Sequence, residues 1–401
     1  MKKFKPTKPL IVYILTLLFA ALFLLLGNRA ATGGKRVFGA ALEEQFQKGE
    51  FWRAKVQMIL REDNSGYGVE GAQGMNTMTT ITFDAYALSG PHKGKTIRCV
   101  QQQDDMFALL IPKVKAGDTV LIDAIAGEDN GGAYYMCDYV RTAPLVWLGL
   151  VFAALLLLFG RKKGFDTLLS FAFSILAIFL VLVPAVLTGK DIYLWSLLIC
   201  VCIVITNLLL VQGASSKSIA AGLGCMGGVL CSGLVITLMS RPLHITGLID
   251  EESVYLSQLG GGINVRSTMF CMIMIGSVGA LMDIAMDIAA ALHELREHNP
   301  DMPSRKLMVA GFRIGRDLIG TMANTLVLAY IGGALGQLLV MISYSTGLTE
   351  ILNREVIAVE ILQGLVGCLS VLAVVPLTSF ICSLVYRPKA MIKTPPGDGG
   401  A

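Results

Sequence analysis

Hydrophobic residues in this chain are gathered into long runs, with most charged residues in the gaps between them. Eight runs can be read: Leu10 to Gly27, Pro144 to Gly160, Thr167 to Leu187, Tyr193 to Val211, Ser218 to Met239, Ser267 to Leu292, Leu318 to Tyr344 and Val356 to Tyr386. A helix needs about 20 apolar residues to cross a hydrocarbon layer about 30 Å thick, so each run predicts a transmembrane helix, the longer ones tilted or extended into the cytoplasm. The first run follows Lys2, Lys3, Lys5 and Lys8, the charged start of a secretion signal. Its length and the poor small-residue site at Asn28-Arg29-Ala30-Ala31 favour an uncleaved anchor.

Between the first and second runs the pattern changes. Residues 28–143 carry short β-like stretches at Met78 to Ala87, Thr96 to Gln101 and Thr119 to Ala126. Turn residues separate them at Ser89-Gly90-Pro91, Lys93-Gly94-Lys95, Ala116-Gly117-Asp118 and Asp129-Asn130-Gly131-Gly132. The alternation Thr80, Ile81, Thr82, Phe83, Asp84, Ala85, Tyr86 buries one face of a strand. A small all-β domain is expected, either an OB-like barrel or a sandwich, with Asn64 to Asn76 as a long mobile loop.

Composition strengthens the membrane reading. The chain is 54% hydrophobic and 15% charged, whereas soluble domains carry about a quarter charged residues. Charge also orients it. With a cytoplasmic start, the inner segments hold the N-terminal lysines, Arg161-Lys162-Lys163, Lys217, the basic residues of the His293 to Asp317 loop and those of the C-terminal tail. The short outer loops hold only Lys190, Arg241, Arg266 and Arg354. That bias puts both termini in the cytoplasm and residues 28–143 outside it. The net charge of +4 gives no reason to expect a nucleic-acid partner. Seven of the nine cysteines fall in apolar segments, where a thiol behaves as a small hydrophobe; only Cys99 and Cys137 lie in the β domain, free or paired as a disulfide.

Polar residues inside the runs are the candidates for chemistry. Asp283 and Asp287 stand one helical turn apart, with Glu294 and His298 continuing the stripe toward the cytoplasm. Near the inner boundary of the bilayer two carboxylates cannot comfortably face lipid, so they predict a cavity or a bundle interior; the alternative is a helix end whose acids meet water or pair with Arg313 and Arg316. Thr321 and Asn324, after Arg316 and Asp317, come to a similar depth and either complete a polar pocket with the two acids or glue two helices together. Toward the other face lie Arg354, Glu355 and, one turn further in, Glu360; Arg354 is expected either to pair with Glu355 or to snorkel, while Glu360 needs a partner or a water-filled path. Close small-residue pairs, Gly224 with Gly228, Gly276 with Ala280 and Gly332 with Gly336, read as helix packing. No metal site is expected, because His92, His244, His293 and His298 are scattered. Gly260-Gly261-Gly262 lacks the context of a nucleotide-binding loop, and neither a cofactor motif nor a nucleophile and base pair is visible.

Four stretches, Gly279 to Met286, Gly315 to Tyr330, Asn353 to Glu360 and Val375-Pro376-Leu377-Thr378, resemble the YibE/F-like family of bacterial multi-pass membrane proteins, through the strings Met-Asp-x-Ala-Met and Gly-Arg-Asp-x-x-Gly-Thr-Met-Ala-Asn-Thr-Leu. The resemblance covers the spans from about Phe165 onward. The family it implies is one of undetermined function, often taken for permeases, and it brings no catalytic residue to carry over. The expectation is a polytopic α-helical membrane protein of about eight transmembrane helices. Residues 1–27 form the signal anchor, 28–143 the extracytoplasmic β domain, 144–387 the seven-helix membrane domain and 388–401 a disordered cytoplasmic tail. The expected activity is a permease in the bacterial cytoplasmic membrane for an unknown small solute or ion, rather than an enzyme, with Asp283, Asp287, Asn324, Thr321 and Glu360 at its sites. The alternative is a membrane scaffold whose β domain binds an envelope protein.

Overall fold

The computed structural model describes residues 8–34, 51–68, 75–104, 112–123, 134–258, 263–344 and 347–386. They fall into two compact units, residues 39–155 and residues 1–38 with 156–401. The predicted tail at 388–401 and the turn at Asp129 to Gly132 lie outside the described residues.

The smaller unit contains β1 (Phe51–Gly68), β2 (Met75–Ala87), β3 (Thr96–Asp104), β4 (Thr119–Asp123) and β5 (Tyr134–Tyr139). They close into a barrel in the order β1-β2-β3-β5-β4, so the OB-like alternative holds and the sandwich does not. All pairings are antiparallel except β3 with β5. Alternation on β2 does what the sequence implies: Ile81, Phe83, Ala85 and Ala87 are buried and pack with Ala54, Val56, Cys99, Val120 and Ile122. The turn after β2 needs its glycine. Gly90 has φ +86°, and a Cβ there would stand 2.5 Å from Cγ of the Trp52 ring.

Two strands were not visible in the pattern. β1 alternates buried Trp52, Ala54 and Val56 with exposed Arg53 and Lys55, but register shifts after Val56 and Ile59 end that period over the rest of the strand. The expected loop from Asn64 to Asn76 is strand at both ends, with Asn64 opposite Thr79 and Gly68 opposite Met75; residues 69–74 lie outside the described residues. β5 is only six residues long. Cys99 points into the barrel core while Cys137 follows the inward-facing Met136 and faces the other way; both thiols are free.

Seven helices of the described residues are long and apolar enough to cross a membrane, one fewer than the runs suggested. They are α1 (Lys8–Thr32), α2 (Thr142–Leu187), α3 (Ile192–Gln212), α4 (Ser216–Ser240), α6 (Val265–His298), α7 (Ser304–Tyr344) and α9 (Glu355–Val385); α5 (Glu251–Gln258) and α8 (Leu348–Asn353) are short. The difference is α2, whose 46 residues take in two predicted runs. It is not straight. Arg161 leaves the helical region at φ 48°, ψ −123°, a conformation that costs an L residue about 1–3 kcal/mol. Just beyond it, a Cβ on Gly164 would lie 2.2 Å from the carbonyl oxygen of Leu156. Residues eight apart in an uninterrupted helix are separated by about 12 Å, so the chain doubles back at Arg161.

The second half of α2 then runs alongside α1 in the same direction. Tyr13 donates to Asp166 at 2.9 Å, Asn28 Nδ2 to the Leu180 carbonyl at 2.7 Å, and Thr188 Oγ1 to the Ala31 carbonyl at 2.7 Å. The middle contact has a covalent cause. Pro184 carries no N–H, so the carbonyl four residues earlier, Leu180, loses its helical donor; the ladder widens to a π turn over Ile178–Leu182, and Asn28 fills the place.

The centre of the bundle is built on small residues. A Cβ on Gly224 would lie 2.0 Å from Thr378 Oγ1, on Gly228 2.1 Å from Val374 Cγ2, and on Gly315 2.2 Å from Val375 Cγ1. These glycines let α4 and α7 approach α9 at backbone distance. Ser232 donates to Ser370 at 2.6 Å, and Ser277 to Ser232 at 3.4 Å, joining α4, α9 and α6 through buried hydroxyls. Gly332 and Gly336, by contrast, have no neighbour within 4 Å of an added Cβ. The predicted cytoplasmic loop from His293 to Asp317 shrinks to a turn, because α6 continues to His298 and α7 begins at Ser304. Arg296, itself buried, holds that turn by donating to the carbonyls of Pro300 and Met302.

Candidate functional site

A cavity of about 500 Å³ opens between the second half of α2, the end of α3, and the middle of α6. Asp283 and Asp287 reach it from α6 because residues four apart share a helix face, and both are exposed at the cavity's open side rather than sheltered in the bundle interior; Leu281, Ile284, Ala285 and Ile288 on the other faces are buried in the core. From α2 come Thr167, Ser170 and Ser174, and from α3 Asn207 and Gln212. Three thioethers, Met282, Met286 and Met322, complete the wall. No lysine, arginine or histidine is among the lining residues. The cavity thus offers two carboxylates, two amides and three hydroxyls, a set that suits a cation or a hydrogen-bonding solute of positive charge.

The structure sorts the other sequence-derived residues. Thr321 and Asn324 do not line this cavity; α7 contributes Met322, while Thr321 and Asn324 are exposed and the Thr321 hydroxyl donates to Leu318 of its own helix at 3.0 Å. Equal depth along two helices does not bring side chains together when they face different ways. Arg316 and Asp317 are likewise exposed. Arg313 lies with Arg305 and Lys306 in a separate cavity of about 620 Å³ along α7, away from the two acids. Glu294 pairs with Lys217 at 3.6 Å, and His293 with Glu297 at 3.1 Å.

Arg354 and Glu355 do not pair with each other. Arg354 meets Glu350 one turn back at 2.7 Å. Glu355 receives three hydrogen bonds, from Thr246 N–H at 2.7 Å, Thr246 Oγ1 at 2.8 Å and Gly247 N–H at 2.7 Å, fixing the loop after α4 onto the start of α9. Glu360 lines a third cavity of about 200 Å³ between α7 and α9. That cavity shares no lining residue with the one at Asp283.

Sequence reasoning missed Asn207, Gln212 and the hydroxyls of α2. An amide in an otherwise apolar run was the available signal at Asn207, the same signal that singled out Asn324. It also missed Asp166, a buried carboxylate held by Tyr13, because that residue sits where a run begins and reads as part of the loop. No group of three or more histidine, cysteine or acidic side chains among the described residues is placed to hold a metal ion.

Long apolar helices bound by small-residue contacts define a multi-pass membrane protein. The YibE/F-like protein family matches residues 148–388, more than half of the chain, and the protein belongs to that family. No curated protein and no solved structure matches it.

Proposed function

We propose that the protein is a permease of the bacterial cytoplasmic membrane that crosses it eight times, with both termini inside and the β-barrel outside. The observation that carries the reading is the cavity at Asp283 and Asp287, with its paired carboxylates and no basic lining residue. Two acids in a membrane-spanning bundle are costly unless a cation, a proton or water meets them, and a cation or cationic solute is the substrate class this wall would select. The fold-back at Arg161 supports the crossing number. α1 and the second half of α2 run in parallel, so the chain leaves one end of the bundle at Thr32 and re-enters at the other; the apolar stretch of α2 before Arg161 is long enough to make the return.

Replacing Asp283 and Asp287 by asparagine should abolish uptake or efflux of the solute in cells while leaving membrane insertion and protein level unchanged. Normal flux in the double variant would overturn the reading. Alkaline phosphatase fused after Lys163 should be inactive, and fused after Lys190 active; the reverse would invert the orientation.

A second reading, a scaffold that binds an envelope protein, draws on the barrel. Met58, Ile59 and Leu60 are consecutive, large and exposed on β1, at its irregular register. Deleting residues 28–143 would remove partner and phenotype together for a scaffold, and leave flux through a permease core.

A further inference from the structure

The cavity at Glu360 is built unlike the one at Asp283. It is lined by Val327, Tyr330, Ile331 and Ala334 of α7 and by Ile357, Glu360, Ile361 and Gly364 of α9, among others, and all but Tyr330 and Glu360 are apolar. Ile331, Ile361 and Leu365 are also exposed on the outside of the bundle, at 49%, 45% and 55%, so the cavity opens sideways where lipid would lie. The Tyr330 hydroxyl is hydrogen-bonded to Gln363, which leaves its ring to the cavity wall.

The geometry points to a binding site for a small lipophilic cation, an aromatic or short-chain amine, that enters from the lipid with its charge at Glu360 and its apolar part among the aliphatic side chains. The occupant follows from elimination by chemistry. Calcium and magnesium take six or more oxygen ligands and zinc four, and this wall offers one carboxylate. A neutral apolar guest would leave that carboxyl group without a hydrogen-bonding or charged partner, protonated or not. A cation with an apolar body satisfies both, and the Tyr330 ring adds an electron-rich face for the charged group. The volume of about 200 Å³ exceeds the roughly 150 Å³ of a cavity that accepts benzene, leaving room for a ring and a few more atoms. The inference stands apart from the permease reading, since the two cavities have no wall in common.

The test uses the full-length protein in detergent micelles and calorimetric titration with benzyltrimethylammonium, whose charge cannot be lost to a base, beside the uncharged neopentylbenzene. The wild type should bind the cation saturably and at least tenfold tighter than the uncharged analogue. Glu360→Gln should remove that preference. Gly364→Leu keeps the carboxylate and fills the cavity; Gly364 has room, its nearest neighbour for an added Cβ being Tyr330 Cδ2 at 3.8 Å, and this variant should lose binding of both probes. Asn324→Ala, at a position exposed on α7 outside both cavities, should bind like the wild type. Equal binding of the two probes, an undiminished preference for the cation in Glu360→Gln, or undiminished cation binding by Gly364→Leu with a wild-type elution profile, would overturn the assignment.

Discussion

The side-chain amide of Asn28 donates to the carbonyl of Leu180, four residues before Pro184, where an α-helical N–H donor would otherwise stand. A proline within a span frees a backbone carbonyl that hydrocarbon cannot satisfy, and here a polar residue on the neighbouring helix supplies the missing hydrogen bond. Asn28→Ala should therefore lower stability by about 1–3 kcal/mol, the cost of leaving a sheltered polar group unpaired. Pro184→Ala restores the N–H, so the double variant should lose less than the sum of the two single changes. Thermal unfolding of the four proteins in detergent measures this coupling, and strict additivity would show that Asn28 does not serve Leu180.

Close packing makes an opposite pair of expectations for glycine. A methyl group at Gly228 would stand 2.1 Å from Val374 Cγ2 and one at Gly315 2.2 Å from Val375 Cγ1, so each alanine forces the helices apart at a cost of about 1–3 kcal/mol. Trimming the partner, Gly228→Ala with Val374→Ala, should recover part of that loss. Gly332→Ala and Gly336→Ala meet nothing within 4 Å and should be neutral or stabilising by up to about 1 kcal/mol, since alanine is the better helix former. Unfolding midpoints that rank Gly332→Ala with Gly228→Ala would contradict the packing described.

In the barrel, burial pushes the Cys99 thiol from its ordinary 9.0 up to about 12, with the charge of Asp84 adding to the effect. Burial raises Cys137 as well. Alkylation of the native protein at pH 8, followed by peptide mapping, should label Cys99 far more slowly than it does after urea unfolding. The sign of the stability effect follows. The folded state keeps a proton that the unfolded chain releases near pH 9, so this thiol makes the barrel less stable as pH rises from about 9 toward 12, by at most about 1.4 kcal/mol per pH unit. A urea midpoint for Cys99 exposure that rises between pH 8 and pH 10 would be the wrong sign.

How much of this was legible in the sequence depends on what each feature rests upon. Apolar runs fix helices because hydrocarbon leaves the backbone no other partner, and the seven long helices fall on the runs read from the pattern. Even the merged α2 keeps its boundary at Arg161, where three basic residues interrupt two apolar stretches. β2 and β3 alternate cleanly and were found; β1 keeps the period of two only as far as Val56, before its register shifts, and β5 is too short to show one. The carboxylates of α6 were visible because charge inside an apolar run is conspicuous at any orientation. Their neighbours were not. Which face of α3 or α7 meets α6 depends on contacts between helices distant in sequence, and depth along a helix says nothing about rotation around it.

Asn207 and Asn324 turn that difference into a measurement. Each is a lone amide in an apolar run, yet Asn207 lines the cavity with Asp283 and Asp287 while Asn324 is exposed on another side of α7. If the cavity handles the solute, Asn207→Ala removes a hydrogen-bonding group from its wall and should cut flux at least tenfold, with Gln212→Ala acting in the same direction. Asn324→Ala should leave flux within about twofold of the wild type, since a surface change away from special features shifts stability by only about 0.5 kcal/mol. Flux assays in cells, normalised to protein in the membrane fraction, separate the two cases. A loss confined to Asn324→Ala would move the functional face to the outer side of α7 and leave the paired aspartates as a structural feature.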